Sequence, residues 1–79
     1  MIQVWVPALG RDFEFLLPDS MRIDKVIKLI LKILMEEYPE SKAQSKEIHL
    51  LERKSLLALD PRNTAAECGM ADGKEYILM

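Results

Sequence analysis

The most regular repeat of apolar and polar positions in the chain runs from Ile23 to Tyr38 and predicts an amphipathic α-helix. Apolar side chains recur there at intervals of three and four residues, which places them on one face of a helix. They are Ile23, Val26, Ile27, Ile30, Leu34 and Tyr38. The opposite face carries Lys25, Lys28 and Lys32. Pro39 ends the run, because helical backbone is disfavoured in the residue before a proline.

Two shorter runs before the helix alternate between apolar and polar residues, which is the pattern of half-buried β-strands. They span Ile2–Val6 and Arg11–Leu17, and the link between them, Pro7–Gly10, contains a glycine. We therefore expect a β-hairpin. The side chains expected to point toward the helix are Ile2, Val4, Val6, Phe13, Phe15 and Leu17. Asp19 and Ser20 precede the helix and are the two candidates for its N-cap.

The chain after the helix predicts a loop, two strands and a last strand. The polar stretch Pro39–Lys46 is expected to be a loop, Glu47–Glu52 a third strand and Leu56–Leu59 a short fourth strand. The last strand carries Tyr76 and Leu78 on the side that faces the helix. The pattern of these strands is again alternation.

A capping signal lies before the last strand. Thr64 and Glu67 have the spacing of a capping box, in which the hydroxyl caps a helix amide and the carboxylate reaches back to the threonine amide. Gly69 follows, and glycine suits the left-handed backbone that ends many helices. The segment predicts a helix of about one turn.

The predicted order of elements is ββαββ, a one-turn helix and a last strand, which we interpret as an α+β fold. One long helix packed on one face of a mixed sheet of four or five strands closes a single core. With 79 residues, the chain is expected to form one domain, residues 1–79. Domains of this size have small cores, so we do not expect a deep catalytic cavity.

The C-terminal segment LDPRNTAAECGMADGKEYILM carries a resemblance to a known family. Its T-x-x-E-C-G-M pattern at Thr64–Met70, followed by Asp72-Gly73 and an alternating strand, looks like the last quarter of a ubiquitin-like (β-grasp) domain. The chain is similar to the YukD/EsaB family, bacterial ubiquitin-like proteins associated with type VII (WXG100) secretion. The resemblance implies a β-grasp fold with strand order 2-1-5-3. It also implies a non-enzymatic accessory that binds a protein partner, with a membrane-bound secretion component as the candidate.

The end of the sequence bears on whether the protein acts by covalent transfer through its C-terminus or by non-covalent binding. Ubiquitin and the sulfur carriers of thiamin and molybdopterin synthesis use a flexible Gly-Gly tail, whose carboxylate is activated as an adenylate. This sequence ends at Met79, inside or just past the predicted last strand, and YukD-like proteins also lack that tail. We expect action by binding. The alternative is a ubiquitin-like modifier or sulfur carrier that acts through its C-terminus.

Composition disfavours several other classes. The net charge is −2, with 30% charged and 49% apolar residues, so we expect no nucleic-acid partner. The opening segment MIQVWVPALG lacks the basic and then apolar plan of a signal peptide. The apolar run Val26–Met35 is interrupted by Lys28 and Lys32, so it does not predict a membrane span. We expect a cytoplasmic protein without direct membrane insertion.

Residues with reactive side chains are few. Cys68 is the single cysteine, which excludes a disulfide framework and a cysteine-based metal site, and His49 is the single histidine. A nucleophilic Cys–His pair would need both in one cleft with an orienting acid. The interpretation we favour is that Cys68 fills a small part of the core and His49 lies on a surface strand. We expect no catalytic residue, no metal and no cofactor.

The candidate binding site is the sheet face that points away from the helix. Alternation and the β-grasp strand order make its large side chains neighbours, and a contiguous apolar patch usually marks an interface. The candidate protein-binding residues are Trp5, Leu16, His49, Leu51, Ile77 and Met79. The alternative is a set of scattered surface apolar residues, which are common on soluble proteins.

The helix has more apolar surface than a small sheet can cover. Leu29 and Ile33 widen its apolar arc on one flank, and Leu31 and Met35 widen it on the other. Two explanations stay open. Either the loops 7–10 and 39–46 fold over the flanks, or one flank contacts another chain. A homodimer could form through this flank or through the sheet.

Overall fold

The computed structural model describes residues 1–38 and 48–79. Within them the chain forms β1 (Ile2–Val6), β2 (Arg11–Phe15), α1 (Ile23–Glu37), β3 (Leu50–Glu52) and β4 (Glu75–Leu78). Pro39–Lys46, the predicted loop, and Glu47, the predicted start of the third strand, lie outside the described residues.

The four strands form one mixed sheet with the order β2-β1-β4-β3. The outer pairs β1–β2 and β3–β4 are antiparallel, and the central pair β1–β4 is parallel. A parallel pair requires a crossover connection, and α1 lies in the chain between its two strands. The predicted strand order is confirmed, with the last strand now numbered four because the predicted fourth strand does not form.

The core lies between the buried stripe of α1 and the inward residues of the strands. On β1 the buried and half-buried positions alternate along the whole strand, as predicted. The buried hydrophobic residues are Ile2, Val4, Val6, Phe15, Ile23, Val26, Ile30, Leu31, Leu34, Leu50, Ala65, Tyr76 and Leu78. Burying one large aliphatic or aromatic side chain contributes about 1.5–3 kcal/mol, so this shared core holds the helix to the sheet.

The start of α1 corrects the predicted N-cap. The N-cap is Arg22, in extended backbone and without a side-chain hydrogen bond, and neither Asp19 nor Ser20 caps the helix. The first helical amides instead donate to backbone carbonyls of the segment 61–63: Ile23 N–H to Asn63 O at 2.8 Å and Asp24 N–H to Pro61 O at 3.0 Å. A neighbouring turn therefore satisfies amides that a side chain usually satisfies.

The end of α1 lies one residue before the predicted end. Glu37 is the last helical residue, and Tyr38 is the C-cap with φ −131° and ψ 69°. The Tyr38 amide still donates to Leu34 O at 2.7 Å, so the last turn closes before the backbone leaves the helical region. The residue before Pro39 therefore has the non-helical backbone that the sequence predicts.

Three predicted strands are shorter than expected or absent. β3 begins at Leu50, so Ile48 and His49, which were predicted to belong to the third strand, lie before it. β2 ends at Phe15 rather than Leu17. The predicted strand Leu56–Leu59 is reduced to a single bridge between Ala58 and Leu51. Leu56 has φ 59°, in the left-handed region, and this conformation is incompatible with an extended strand.

The segment after residue 63 forms the predicted capping box but not a helix. Thr64 N–H donates to Glu67 Oε1 at 2.8 Å, and Glu67 N–H donates to Thr64 Oγ1 at 3.2 Å. Residues 65–69 form turns rather than helix, closed by the bond from Cys68 N–H to Thr64 O at 3.1 Å. Gly69 has φ 71°, the left-handed conformation expected of it.

Candidate functional site

The sheet face opposite α1, called the outer face below, carries an apolar row across three strands. Trp5 on β1 pairs with Ile77 on β4, and Ile77 pairs with Leu51 on β3. All three side chains are half-buried. Neighbouring strands lie about 4.8 Å apart, so the row extends over about 10 Å. The sheet register thus brings together three of the six predicted binding residues.

Arg53 covers one end of this row and was not predicted as a site residue. Its guanidinium carbon lies 6.0 Å from the centre of the Trp5 ring. The same guanidinium lies 3.4 Å from Asp12 Oδ1 and 3.9 Å from Glu75 Oε2. The signal in the sequence is spacing, because Arg53 follows Leu51 by two residues and alternation places both on one face.

Met79 and His49 form the next pair along the outer face. Met79 N–H donates to His49 O at 3.0 Å, and His49 N–H donates to Met79 O at 2.7 Å. The Met79 side chain is 61% exposed, and His49 is exposed. His49 lies two residues before Leu51 and Met79 two residues after Ile77, just outside β3 and β4, which corresponds to about 7 Å from the apolar row. The predicted patch therefore continues from Ile77 to Met79.

Leu16 does not join the patch. It follows the last residue of β2, beyond the pair Ile2 and Phe15, and is 79% exposed. Because Ile2 pairs with Phe15, Leu16 lies level with Met1, which is four residues, or about 13 Å along a strand, from Trp5. The polar pair Gln3 and Glu14 lies between Leu16 and the apolar row. We therefore treat Leu16 as a separate exposed apolar residue.

Cys68 and His49 show no sign of a nucleophilic pair. No hydrogen bond joins these two residues, and Cys68 Sγ instead lies 4.0 Å from Asp60 O. Burial raises the pKa of the Cys68 thiol, which disfavours the thiolate that a nucleophile needs. Cys68 is half-buried and packs against the core, as the sequence predicts. Within residues 1–38 and 48–79, no group of three or more His, Cys, Asp or Glu side chains could hold a metal ion.

A hollow of about 320 Å³ opens at the end of the sheet where β1 begins. Its lining is Met1, Ile2, Phe15, Leu17, Asp19, Ala65, Met70, Ala71 and Asp72. The N-terminal ammonium of Met1 pairs with the Asp72 carboxylate in this lining. The ionisable side chains of the lining are both carboxylates, so the hollow is unsuited to a phosphate-bearing cofactor.

Each flank of α1 keeps one exposed apolar side chain: Ile33 on the flank with Leu29, and Met35 on the flank with Leu31. Leu31 belongs to the buried core, whereas Ile33 is 36% exposed and Met35 is 53% exposed. Leu9, in the loop 7–10 that was predicted as one possible cover, packs against the core. The other predicted cover, the loop 39–46, lies outside the described residues.

The described part of the chain contains no helix that is both long enough and apolar enough to cross a membrane. The three lysines on the back of α1, Lys25, Lys28 and Lys32, are exposed, as the amphipathic pattern predicts.

A solved structure matches this arrangement of helix and sheet. It is the solution structure of the N-terminal ubiquitin-like domain in the 4931431F19Rik protein, with a TM-score of 0.75 and 18% sequence identity. The match covers 99% of this chain and 70% of that chain. The fold is ubiquitin-like. At this identity the likeness establishes the α+β β-grasp fold and nothing about function.

Sequence comparisons add no further assignment to the ubiquitin-like fold. No protein-family model matches the chain, and no curated protein matches it.

Proposed function

We propose that residues 1–79 form a single non-enzymatic ubiquitin-like domain that binds another protein through its outer face. The observation that carries the proposal is the apolar row of Trp5, Ile77 and Leu51 on three neighbouring strands. The helix packs on the other face of the sheet and does not cover the row, and Arg53 lies over Trp5 at one end of it. A contiguous apolar patch of this kind favours an interface over a set of scattered residues.

Ile77 is the central residue of the proposed interface. It has Trp5 on one side and Leu51 on the other, and Met79, the residue after β4, continues the patch in the same direction. Residues that dominate binding energy tend to lie near the centre of an interface, where the partner excludes water from them. Trp5 contributes a large aromatic surface, which is a frequent anchor in protein interfaces.

The test is a comparison of two isoleucine-to-glutamate variants. Ile77→Glu places a charge in the centre of the outer face, and Ile33→Glu places the same charge on the exposed flank of α1. The partner proteins captured from the cell of origin by the wild-type chain are quantified for each variant. We expect Ile77→Glu to lose them and Ile33→Glu to retain them.

The fold of both variants is checked by circular dichroism and thermal unfolding. Loss of partners by Ile33→Glu together with their retention by Ile77→Glu would move the interface to the helix flank and overturn the proposal. Retention of every partner by both variants would also contradict it.

The finer proposal is that the domain is a cytoplasmic accessory of a bacterial type VII secretion system, bound to a membrane-associated component. Its support is the resemblance to YukD/EsaB proteins in the segment Thr64–Met70, whose capping-box hydrogen bonds form as that pattern requires. Genes for WXG100 proteins and a membrane ATPase beside the gene for this chain would support it. Neighbouring genes for thiamin or molybdopterin synthesis would contradict it.

A homodimer is a second protein contact to test, and the exposed Ile33 favours the flank of α1 that carries Leu29 and Ile33 as its site. Sedimentation equilibrium over a wide range of protein concentration measures self-association directly. If the flank forms the dimer, Ile33→Glu is monomeric at concentrations where the wild-type chain and Ile77→Glu are dimeric.

A further inference from the structure

We propose that the outer face binds a protein segment that combines apolar anchors with basic side chains. The inference rests on the proposed function, because it names the chemistry of the partner for that same face. The observation behind it is an excess of carboxylates at the β2 end of the apolar row and on the side of the row that lies toward Gln3.

The excess follows from the register of the sheet. Glu14 and Glu75 both pair with Gln3, which places these three side chains in one row beside the apolar row. Asp12 pairs with Trp5, so its carboxylate lies on β2 at the end of the apolar row. Directly paired residues share a face of the sheet, so all three carboxylates belong to the outer face.

One cation balances only part of this charge. The Arg53 guanidinium is shared between Asp12 at 3.4 Å and Glu75 at 3.9 Å. Glu14 is exposed and makes no hydrogen bond or ion pair within the described residues. Lys54 and Lys74 line one hollow with Glu52 and Glu75, so these four groups add no net charge. The excess comes from Asp12 and Glu14 beside the single Arg53 guanidinium, and charge complementarity across an interface selects a partner of opposite sign.

The solvent-facing side of α1 is positively charged, in contrast to the outer face of the sheet. Lys25, Lys28 and Lys32 are exposed on α1, which packs on the other face of the sheet. The acidic edge is therefore a local property of the outer face and not a reflection of the net charge of −2. A basic segment is attracted to the outer face and repelled by the back of the helix, which orients its approach.

The spacing of the rows defines the partner further. Gln3 and Trp5 are two residues apart on β1, so the acidic row lies about 7 Å from the apolar row. A partner strand with a basic residue two positions from its apolar anchor has this spacing. A partner helix with the basic residue three or four positions away has a similar one. Nucleic acid and acidic peptides are disfavoured at this edge by charge.

The test uses a phage-displayed library of random short peptides, selected on the immobilised full chain. We expect the selected peptides to combine apolar residues with lysine or arginine and to lose binding when Ile77 is replaced in Ile77→Glu. The tightest peptide is then synthesised, and its Kd is measured against the wild-type chain and two charge-reversal variants.

Glu14→Lys is the test variant and Glu37→Lys is the matched control. Both residues are exposed and without ion pairs in the described residues, and both substitutions change the net charge equally. We expect Glu14→Lys to weaken binding about three- to tenfold at low salt and Glu37→Lys to change Kd less than about twofold, because exposed charges act over roughly a Debye length. Added salt should weaken wild-type binding toward the level of Glu14→Lys.

The outcomes separate the two proposals. Peptides that require Ile77 but lack basic residues, or are acidic, would overturn the charge inference and leave the docking face standing. Peptides that bind Ile77→Glu as well as wild type, or a library that yields no binder, would count against both. Self-association of the wild-type chain that Glu14→Lys abolishes would identify the occupant as the lysine-bearing helix of a second copy and overturn the inference of a separate partner.

Discussion

The guanidinium of Arg53 lies over the indole ring of Trp5, with 6.0 Å between the guanidinium carbon and the ring centre. The contact joins strand β1 to the residue that follows β3, across the intervening strand β4. It therefore holds Trp5 against the sheet and keeps part of its apolar ring from water. A partner that docks on the outer face meets a tryptophan whose position is already restricted, which reduces the entropy lost on binding.

Replacement of this arginine should loosen the tryptophan. Arg53→Ala removes the cation–π contact and two exposed ion pairs, and we expect the free energy of unfolding to fall by about 0.5–1 kcal/mol. Trp5 is the single tryptophan, so its fluorescence reports the site without interference. We expect emission to shift to longer wavelength and quenching by acrylamide to increase.

The matched control is Arg62→Ala, which removes an exposed arginine whose ion pair is with Asp60. Its tryptophan emission and quenching should equal those of the wild-type chain. Unchanged quenching in Arg53→Ala would show that the stacked arrangement does not persist in solution.

The start of α1 leads to a prediction that differs from the usual rule for helix caps. Because backbone carbonyls of Pro61 and Asn63 accept the first helical amides, Ser20→Ala and Asp19→Ala should each lower the free energy of unfolding by less than about 0.5 kcal/mol. Urea unfolding measures both. A cost of about 1 kcal/mol or more, typical of a lost N-cap, would contradict the observed cap at Arg22.

Removal of the capping side chain at Thr64 should lower the free energy of unfolding, unlike the substitutions at the start of α1. Thr64→Ala removes the hydroxyl that accepts the Glu67 amide at 3.2 Å, and we expect a loss of about 1 kcal/mol in urea unfolding. Thr64→Ser keeps the hydroxyl and should retain most of the stability. If serine and alanine cost the same, the hydrogen bond is not the source of the effect.

Prediction from sequence succeeded where side-chain periodicity decides the structure. A helix buries side chains with a period of 3.6 residues and a strand with a period of two. The helical repeat from Ile23 and the alternation of Ile2, Val4 and Val6 therefore identify buried residues directly. The same alternation identified Trp5 and Ile77 as outward residues, and the sheet register then made them neighbours.

Prediction failed where contacts between distant segments decide. The carbonyls that satisfy the start of α1 come from residues 61–63, about forty positions later, so local preference for Asp19 or Ser20 could not reveal them. Arg53 was missed for a similar reason. Its place on the outer face follows from alternation, but its partners Trp5 and Asp12 become neighbours only through strand order.

Leu56 shows a third kind of failure, because a run of apolar residues does not reveal a left-handed backbone. Leu56 has φ 59°, and its side chain is 59% exposed. Left-handed backbone costs a residue with a Cβ atom about 1–2 kcal/mol. The Leu56 amide donates to Glu52 O at 2.8 Å, so the tight turn after β3 depends on this conformation.

Leu56→Gly should therefore stabilise the domain. Glycine relieves the strain of the left-handed backbone, keeps the amide donor and loses little buried surface, while its greater freedom in the unfolded chain costs about 0.5–1 kcal/mol. We expect a net rise of about 0.5–1 kcal/mol in the free energy of unfolding, measured by urea denaturation. Leu56→Ala keeps the Cβ atom and should give no such rise.

Leu57→Gly is the matched control, because Leu57 is 69% exposed and does not have positive φ. Glycine brings only its entropy cost there, so the free energy of unfolding should fall by about 0.5–1 kcal/mol. Opposite signs at two adjacent, exposed leucines would assign the effect to backbone conformation rather than to lost apolar contact. Equal destabilisation at both positions would mean that Leu56 does not occupy the left-handed region in solution.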